Sequence, residues 1–193
     1  MKKQALILAS ASPRRIDMMK QKGYNPIVIP ARVDESLPFS MDMEPAVMYL
    51  ACKKALWVEH NLSEKEKESA PVILAADTVV YKDRMIGKPA DYQEAVDTLW
   101  SLRHSFHYVA TGVCLLSAGT PVRRLFCEVT KVWFRNFTME ALSAYARTDE
   151  PYDKAGGYAI QGSFGKYVDH IEGDYENVIG FPWSRIEREL ARL

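Results

Sequence analysis

Apolar positions along the chain come in short blocks, each closed by a polar or glycine–proline break. Ala5-Leu6-Ile7-Leu8-Ala9 is short enough for a buried strand and stops at Ser10-Ala11-Ser12-Pro13-Arg14-Arg15. Ser12 before Pro13 predicts a helix start. Serine takes the N-cap and proline the first helical position, where a missing N–H loses no partner. That helix runs through Ile16, Met18 and Met19 to near Gly23. A short strand between Pro26 and Pro30 follows, then a loop over residues 31–40 holding Asp34 and Glu35. Val47, Leu50, Leu56 and Trp57 predict a helix from Glu44 to about His60. Residues 62–71 are charged and read as a solvated connection.

Residues 72–81 carry the strongest strand pattern, with a return over Met85-Ile86 after a turn at Asp83. Asp91 with Glu94 three residues on predicts a capping box, opening a helix that buries Ala95, Val96, Leu99 and Leu102. Strands are expected over 106–117 and 122–135, a helix capped by Thr138, a glycine-rich loop over 148–165, a strand over 167–171, and a last helix after Pro182. Mixed strands, hairpins and helices of this kind predict one α/β domain over residues 1–193 with a mixed sheet.

Composition narrows the function classes. The 193 residues are 48% apolar and 26% charged, within the range of an ordinary globular chain. Lys+Arg and Asp+Glu are both 25, so a general nucleic-acid binder, which needs a basic excess, is not expected. Any cationic site must be local. Cys52, Cys114 and Cys127 form no CxxC pair, which points to a reduced, cytoplasmic protein with neither zinc knuckle nor disulfide frame. The apolar run after Lys2 and Lys3 is too short for a signal-peptide core, and no stretch reaches membrane-spanning length.

Candidate chemistry gathers at few places. Ser10, Ser12, Arg14 and Arg15 sit where a strand gives way to a helix N-terminus, a spot whose exposed N–H groups and dipole favour anions. The plainer reading is a helix start beside two solvated arginines. Asp77 lies inside an apolar strand, where an ionised carboxylate needs a partner. It is either a functional acid or the end of the strand, capping a turn. Thr78 follows it and should point to the opposite face. Glu35 gains interest only if it meets Asp77, since two carboxylates suit magnesium or manganese. Lys54 and Lys88 read singly as solvated and jointly as phosphate-facing cations. Gln161, between Ile160 and Gly162, offers a donor beside an acceptor and could match the N3–H and O4 edge of uracil or thymine, or bond its own loop.

Together these stretches resemble a known family. Ser10-Ala11-Ser12-Pro13-Arg14-Arg15, Ala76-Asp77-Thr78, Gly87-Lys88-Pro89, Lys154-Ala155-Gly156-Gly157-Tyr158-Ala159-Ile160-Gln161-Gly162 and Gly180-Phe181-Pro182 stand in the order and spacing of the Maf-like nucleoside triphosphate pyrophosphatases. The resemblance implies a fold like that of the inosine triphosphate pyrophosphatase group: an elongated, twisted mixed sheet flanked by helices, with two lobes and a cleft. It implies hydrolysis of a nucleoside triphosphate to the monophosphate and pyrophosphate with a divalent metal, magnesium or manganese. Asp77 matches the proton acceptor, and Arg15, Glu35, Lys54 and Lys88 match polar cleft positions. Glu35 and Asp77 are the expected metal ligands; Ser10, Ser12, Arg15, Lys54 and Lys88 are the expected phosphate contacts.

Arg14, Thr78 and Gln161 are similar to the set that marks the dTTP/UTP-cleaving branch. The 7-methyl-GTP branch resembles it less, with tryptophan and glutamine in place of Arg14 and Thr78. A homodimer is a family-level expectation. Departures fall at Lys53, at Asp17-Met18-Met19 and at Gly157 and Ala159. The rival expectations are a pyrophosphatase for another nucleotide (CTP, a modified pyrimidine triphosphate or 7-methyl-GTP) and a nucleotide-binding regulator of septum formation with little hydrolysis.

Overall fold

The computed structural model describes residues 5–193; Lys2 and Lys3 lie outside them. Its strands are β1 (Leu6–Leu8), β2 (Ile27–Val28), β3 (Val72–Lys82), β4 (Arg84–Ile86), β5 (Phe106–Ser117), β6 (Arg123–Phe134) and β7 (Val168–Glu172). Its helices are α1 (Pro13–Gln21), α2 (Met43–Asn61), α3 (Glu64–Lys67), α4 (Tyr92–Leu102), α5 (Met139–Ala146), α6 (Tyr175–Ile179) and α7 (Trp183–Leu190). The strands form one mixed sheet in the order β2-β1-β3-β5-β6-β7, with β4 beside β3. β1 pairs parallel with both β2 and β3, and α1 makes the crossover that two parallel neighbours require. β4 folds back antiparallel on β3, and β7 runs antiparallel to β6. The expected mixed sheet flanked by helices is therefore present. No helix among the described residues is long and apolar enough to cross a membrane.

Two compact units share the chain. The first takes the residues up to Asp77, then Thr111–Cys127 and Gly180–Leu193; the second takes Thr78–Ala110 and Glu128–Ile179. In the first, the small side chains of Ala51 and Ala55 on α2 let the helix lie close on a layer of Ile7, Ile73, Ala75, Cys114 and Leu116. The second is built on larger groups. Leu99, Leu102 and Leu142 pack with Phe134, Phe137, Tyr158 and Phe164. The rings meet mostly edge to face, as their quadrupoles favour.

The strand expected over 72–81 is present: β3 runs past Asp77 to Lys82, so the acid is a mid-strand residue and the turn-cap alternative falls. Other expectations are corrected. The charged stretch 62–71 contains α3, stabilised by a full capping box between Ser63 and Glu66. The box expected at Asp91 is only half formed. The Asp91 carboxylate accepts from the Glu94 N–H at 2.9 Å, but Glu94 reaches past it to the Ala90 N–H at 2.8 Å. Ser12 holds the N-cap position of α1 without a side-chain cap bond. Instead its own N–H donates to Ser10 Oγ at 3.2 Å.

Candidate active site

The first unit assembles its polar centre from four separate parts of the chain. Ser10 closes β1 and is buried. Arg15 rises from the first turn of α1. Its Nη1 donates to the Ala76 carbonyl at 2.6 Å and to Ser10 Oγ at 3.4 Å, and its Nε donates to the Gly180 carbonyl at 3.0 Å. One planar fork thus ties the start, middle and end of the chain together. Desolvation lowers the Arg15 pKa to about 10 while the Asp77 carboxylate pulls it back up, so the group stays charged at neutral pH. Lysine cannot reproduce two divergent N–H donors in one plane. Arg15→Lys is therefore expected to cost about 1.5–3 kcal/mol of stability, the range for hydrogen bonds to charged groups. A urea titration that leaves the midpoint at the wild-type value would refute this.

Asp77 completes the centre. Its Oδ1 accepts from Lys54 Nζ at 2.6 Å, and the same ammonium lies 2.8 Å from Glu35 Oε1. The side chains of Lys54 and Asp77 keep only 12% and 14% of their exposure, so this bridge is shielded enough to order its members. Lys54 is not the solvated lysine its neighbours suggested. Val47, Ala51 and Val58 are buried on α2, and Lys54 falls on their stripe, three residues after Ala51 and four before Val58. A lysine in an apolar register is the sequence signal for such a role.

Two further groups were not anticipated. Lys53 Nζ donates to the Asp34 carbonyl at 2.6 Å, and Asp34 Oδ1 accepts the Ser36 N–H at 2.9 Å. Together they fix the loop on either side of Glu35. The departure at Lys53 thus has a structural use.

Ser10, Arg14, Arg15, Glu35, Lys54 and Asp77 all belong to the first unit, as does Ser12; Thr78, Lys88 and Gln161 belong to the second. Thr78 follows Asp77 on β3 and is half-buried, while Lys88 and Gln161 are exposed. Within the second unit, the Gly156 N–H donates to the Gly87 carbonyl at 2.9 Å, which joins the Gly87-Lys88-Pro89 tripeptide to the segment that carries Gln161.

Among the described residues no three His, Cys, Asp or Glu side chains form a cation cage. Glu35 and Asp77, within reach of one ammonium, supply two carboxylates. That matches how magnesium is commonly held, by one or two carboxylates completed by substrate phosphates and water. The donor set fits such an ion.

Two carboxylates, an ammonium and a guanidinium thus gather around the end of β1 and the middle of β3 of an α/β protein. The family model described as Maf-like protein matches residues 5–193, and the chain belongs to the Maf-like family. A dTTP/UTP pyrophosphatase of Caldicellulosiruptor bescii is 41% identical over 97% of this chain and 94% of its own length. One from Exiguobacterium sibiricum is 43% identical over 96% and 90%. One from Bdellovibrio bacteriovorus is 36% identical over 99% and 100%. A solved HAM1 protein from Coxiella burnetii shares the fold, with a TM-score of 0.52 at 13% identity over 99% of this chain and 100% of that one.

Proposed function

We propose that this protein hydrolyses dTTP and UTP to the nucleoside monophosphate and pyrophosphate, clearing non-standard pyrimidine triphosphates by the same reaction. The observation that carries the reading is the Glu35–Lys54–Asp77 bridge, the Asp77 end of which follows the Ala76 carbonyl held by Arg15. The relatives' names supply the substrate. Water attacks the α-phosphorus in line, and the bond to the bridging oxygen of the β-phosphate breaks. Asp77 orients that water and takes its proton. Lys54, held between the two carboxylates, would neutralise the negative charge that develops on the leaving group. Arg15 adds a fixed positive charge, and the Ser10 and Ser12 hydroxyls are the nearby phosphate donors.

A divalent cation, magnesium or manganese, belongs to this proposal, and Glu35 and Asp77 would hold it with phosphate oxygens. When bound, such an ion neutralises phosphate charge and makes water more acidic. Arg14, Thr78 and Gln161 are assigned to base selection and Lys88 to phosphate binding on the motif match. The cytoplasm is the proposed setting and a homodimer the proposed assembly. The first rests on Cys52, Cys114 and Cys127, which are scattered and form no CxxC pair, the second on the family resemblance.

A panel of nucleoside triphosphates with magnesium or manganese tests the reading. Expected are equal amounts of monophosphate and pyrophosphate, with kcat/KM for dTTP and UTP at least about tenfold above purine triphosphates. Equal or better turnover of purines removes the pyrimidine assignment. Orthophosphate as the product removes attack at the α-phosphorus.

A further inference from the structure

Gln161 sits in a loop that looks unsupported by sequence, yet the second unit holds it with a dedicated clasp. Gly162 donates its N–H to the Ala159 carbonyl at 3.0 Å, and Gly165 donates to the Gly162 carbonyl at 3.1 Å, so Ile160-Gln161 ride a tight turn. Glu150, eleven residues upstream, reaches into that turn. Its Oε2 accepts from Ser163 Oγ at 2.7 Å, and its Oε1 accepts the Ser163 N–H at 3.1 Å. The carboxylate passes so close that a Cβ on Gly162 would lie 1.8 Å from Oε1. Only a residue without a side chain leaves room for it.

The other side of the segment is pinned just as firmly. Tyr145 donates from its hydroxyl to the Gly157 carbonyl at 3.1 Å and lies 3.4 Å from Glu150 Oε1. Tyr158 shares a 2.6 Å hydrogen bond with Nε2 of fully buried His107. Residues 157 and 158 are thereby tied to the core and residue 163 to Glu150, and Gln161 lies in the span between.

We infer that Glu150 is a positioning residue for base selection: its grip on Ser163, across Gly162, sets where the Gln161 amide is presented. The inference rests on the reading that Gln161 recognises the pyrimidine edge. A two-point amide contact tolerates little displacement, and a shift of about 1 Å can cost up to ~100-fold. An acid in a charged loop reads as solvated, which is why sequence alone does not mark Glu150.

The test compares kcat and KM for UTP and CTP in wild type, Gln161→Ala, Glu150→Ala, Glu150→Gln, Ser163→Ala and the Glu150→Ala/Gln161→Ala double variant. Loss of the clasp should raise KM for UTP about tenfold while kcat changes less than about threefold, and the UTP:CTP preference should fall toward that of Gln161→Ala. Glu150→Gln, which keeps one acceptor oxygen, should lie between. Adding Glu150→Ala to Gln161→Ala should change the preference no further, as expected of residues acting through one contact. If Gln161→Ala flattens the preference and neither Glu150→Gln nor Ser163→Ala moves it, the clasp has no part in selection. If Gln161→Ala itself leaves the preference intact, the base-reading assignment fails first and the inference falls with it. Ser163→Ala removes only a hydroxyl, so it gives a reading even if Glu150→Ala does not fold.

Discussion

Asp77→Asn is expected to lower UTP turnover at least ~100-fold, the scale of losing a positioned general base, while the protein stays folded. The amide keeps an oxygen for the 2.6 Å contact from Lys54 Nζ, so the bridge that orders the centre survives in part. What disappears is the negative charge and the capacity to take a proton. A structural role would predict the reverse pattern, with stability falling and chemistry spared. The discriminating pair of measurements is single-turnover pyrophosphate release and the urea midpoint on the same preparation. Wild-type release would remove Asp77 from the mechanism.

The largest stability effect is expected away from the charged groups, at Gly112 on β5. A Cβ there would lie 2.3 Å from the Val47 carbonyl carbon, 2.4 Å from its oxygen and 2.5 Å from the Met48 nitrogen. All three are backbone atoms of α2, so no side chain can swing aside, and either the helix or the strand must move. Gly112→Ala should therefore cost about 3 kcal/mol or more, at or beyond the usual top of the range for overpacking. That is a large share of the roughly 5–15 kcal/mol that keeps a domain folded. Because α2 also carries Lys54, the variant that remains folded at low temperature should show weakened turnover as well. An unchanged thermal midpoint would show that the two elements have slack that the structure does not contain.

How much of this was legible in the sequence depended on the length of each signal. The strand over 106–117 was read at its true bounds because twelve residues give the pattern room to declare itself. α3 and α6, at four and five residues, are barely longer than one helical turn, too short to establish a period, and both went unpredicted. The glycine-rich stretch turned out to hold three short 3-10 turns, whose geometry rests on contacts distant in sequence. Asp77 announced itself because a carboxylate among buried alanines is costly. Lys54 was understated, because its two carboxylate partners come from a loop and a strand that no helical pattern can bring into view. Glu150 was invisible for the same reason.

Arg15 donates to a carbonyl 165 residues further along the chain, and the unit that holds Asp77 takes its last segment from Gly180–Leu193. Ribosomes add about 5–20 residues per second, so Arg15 waits on the order of ten seconds or more for that segment to be made. The part of the protein that carries the acid is thus completed only once Gly180–Leu193 has been made, by which point every residue of the other unit has been synthesised. Until then the fork can close on Ser10 and the Ala76 carbonyl, but not on Gly180.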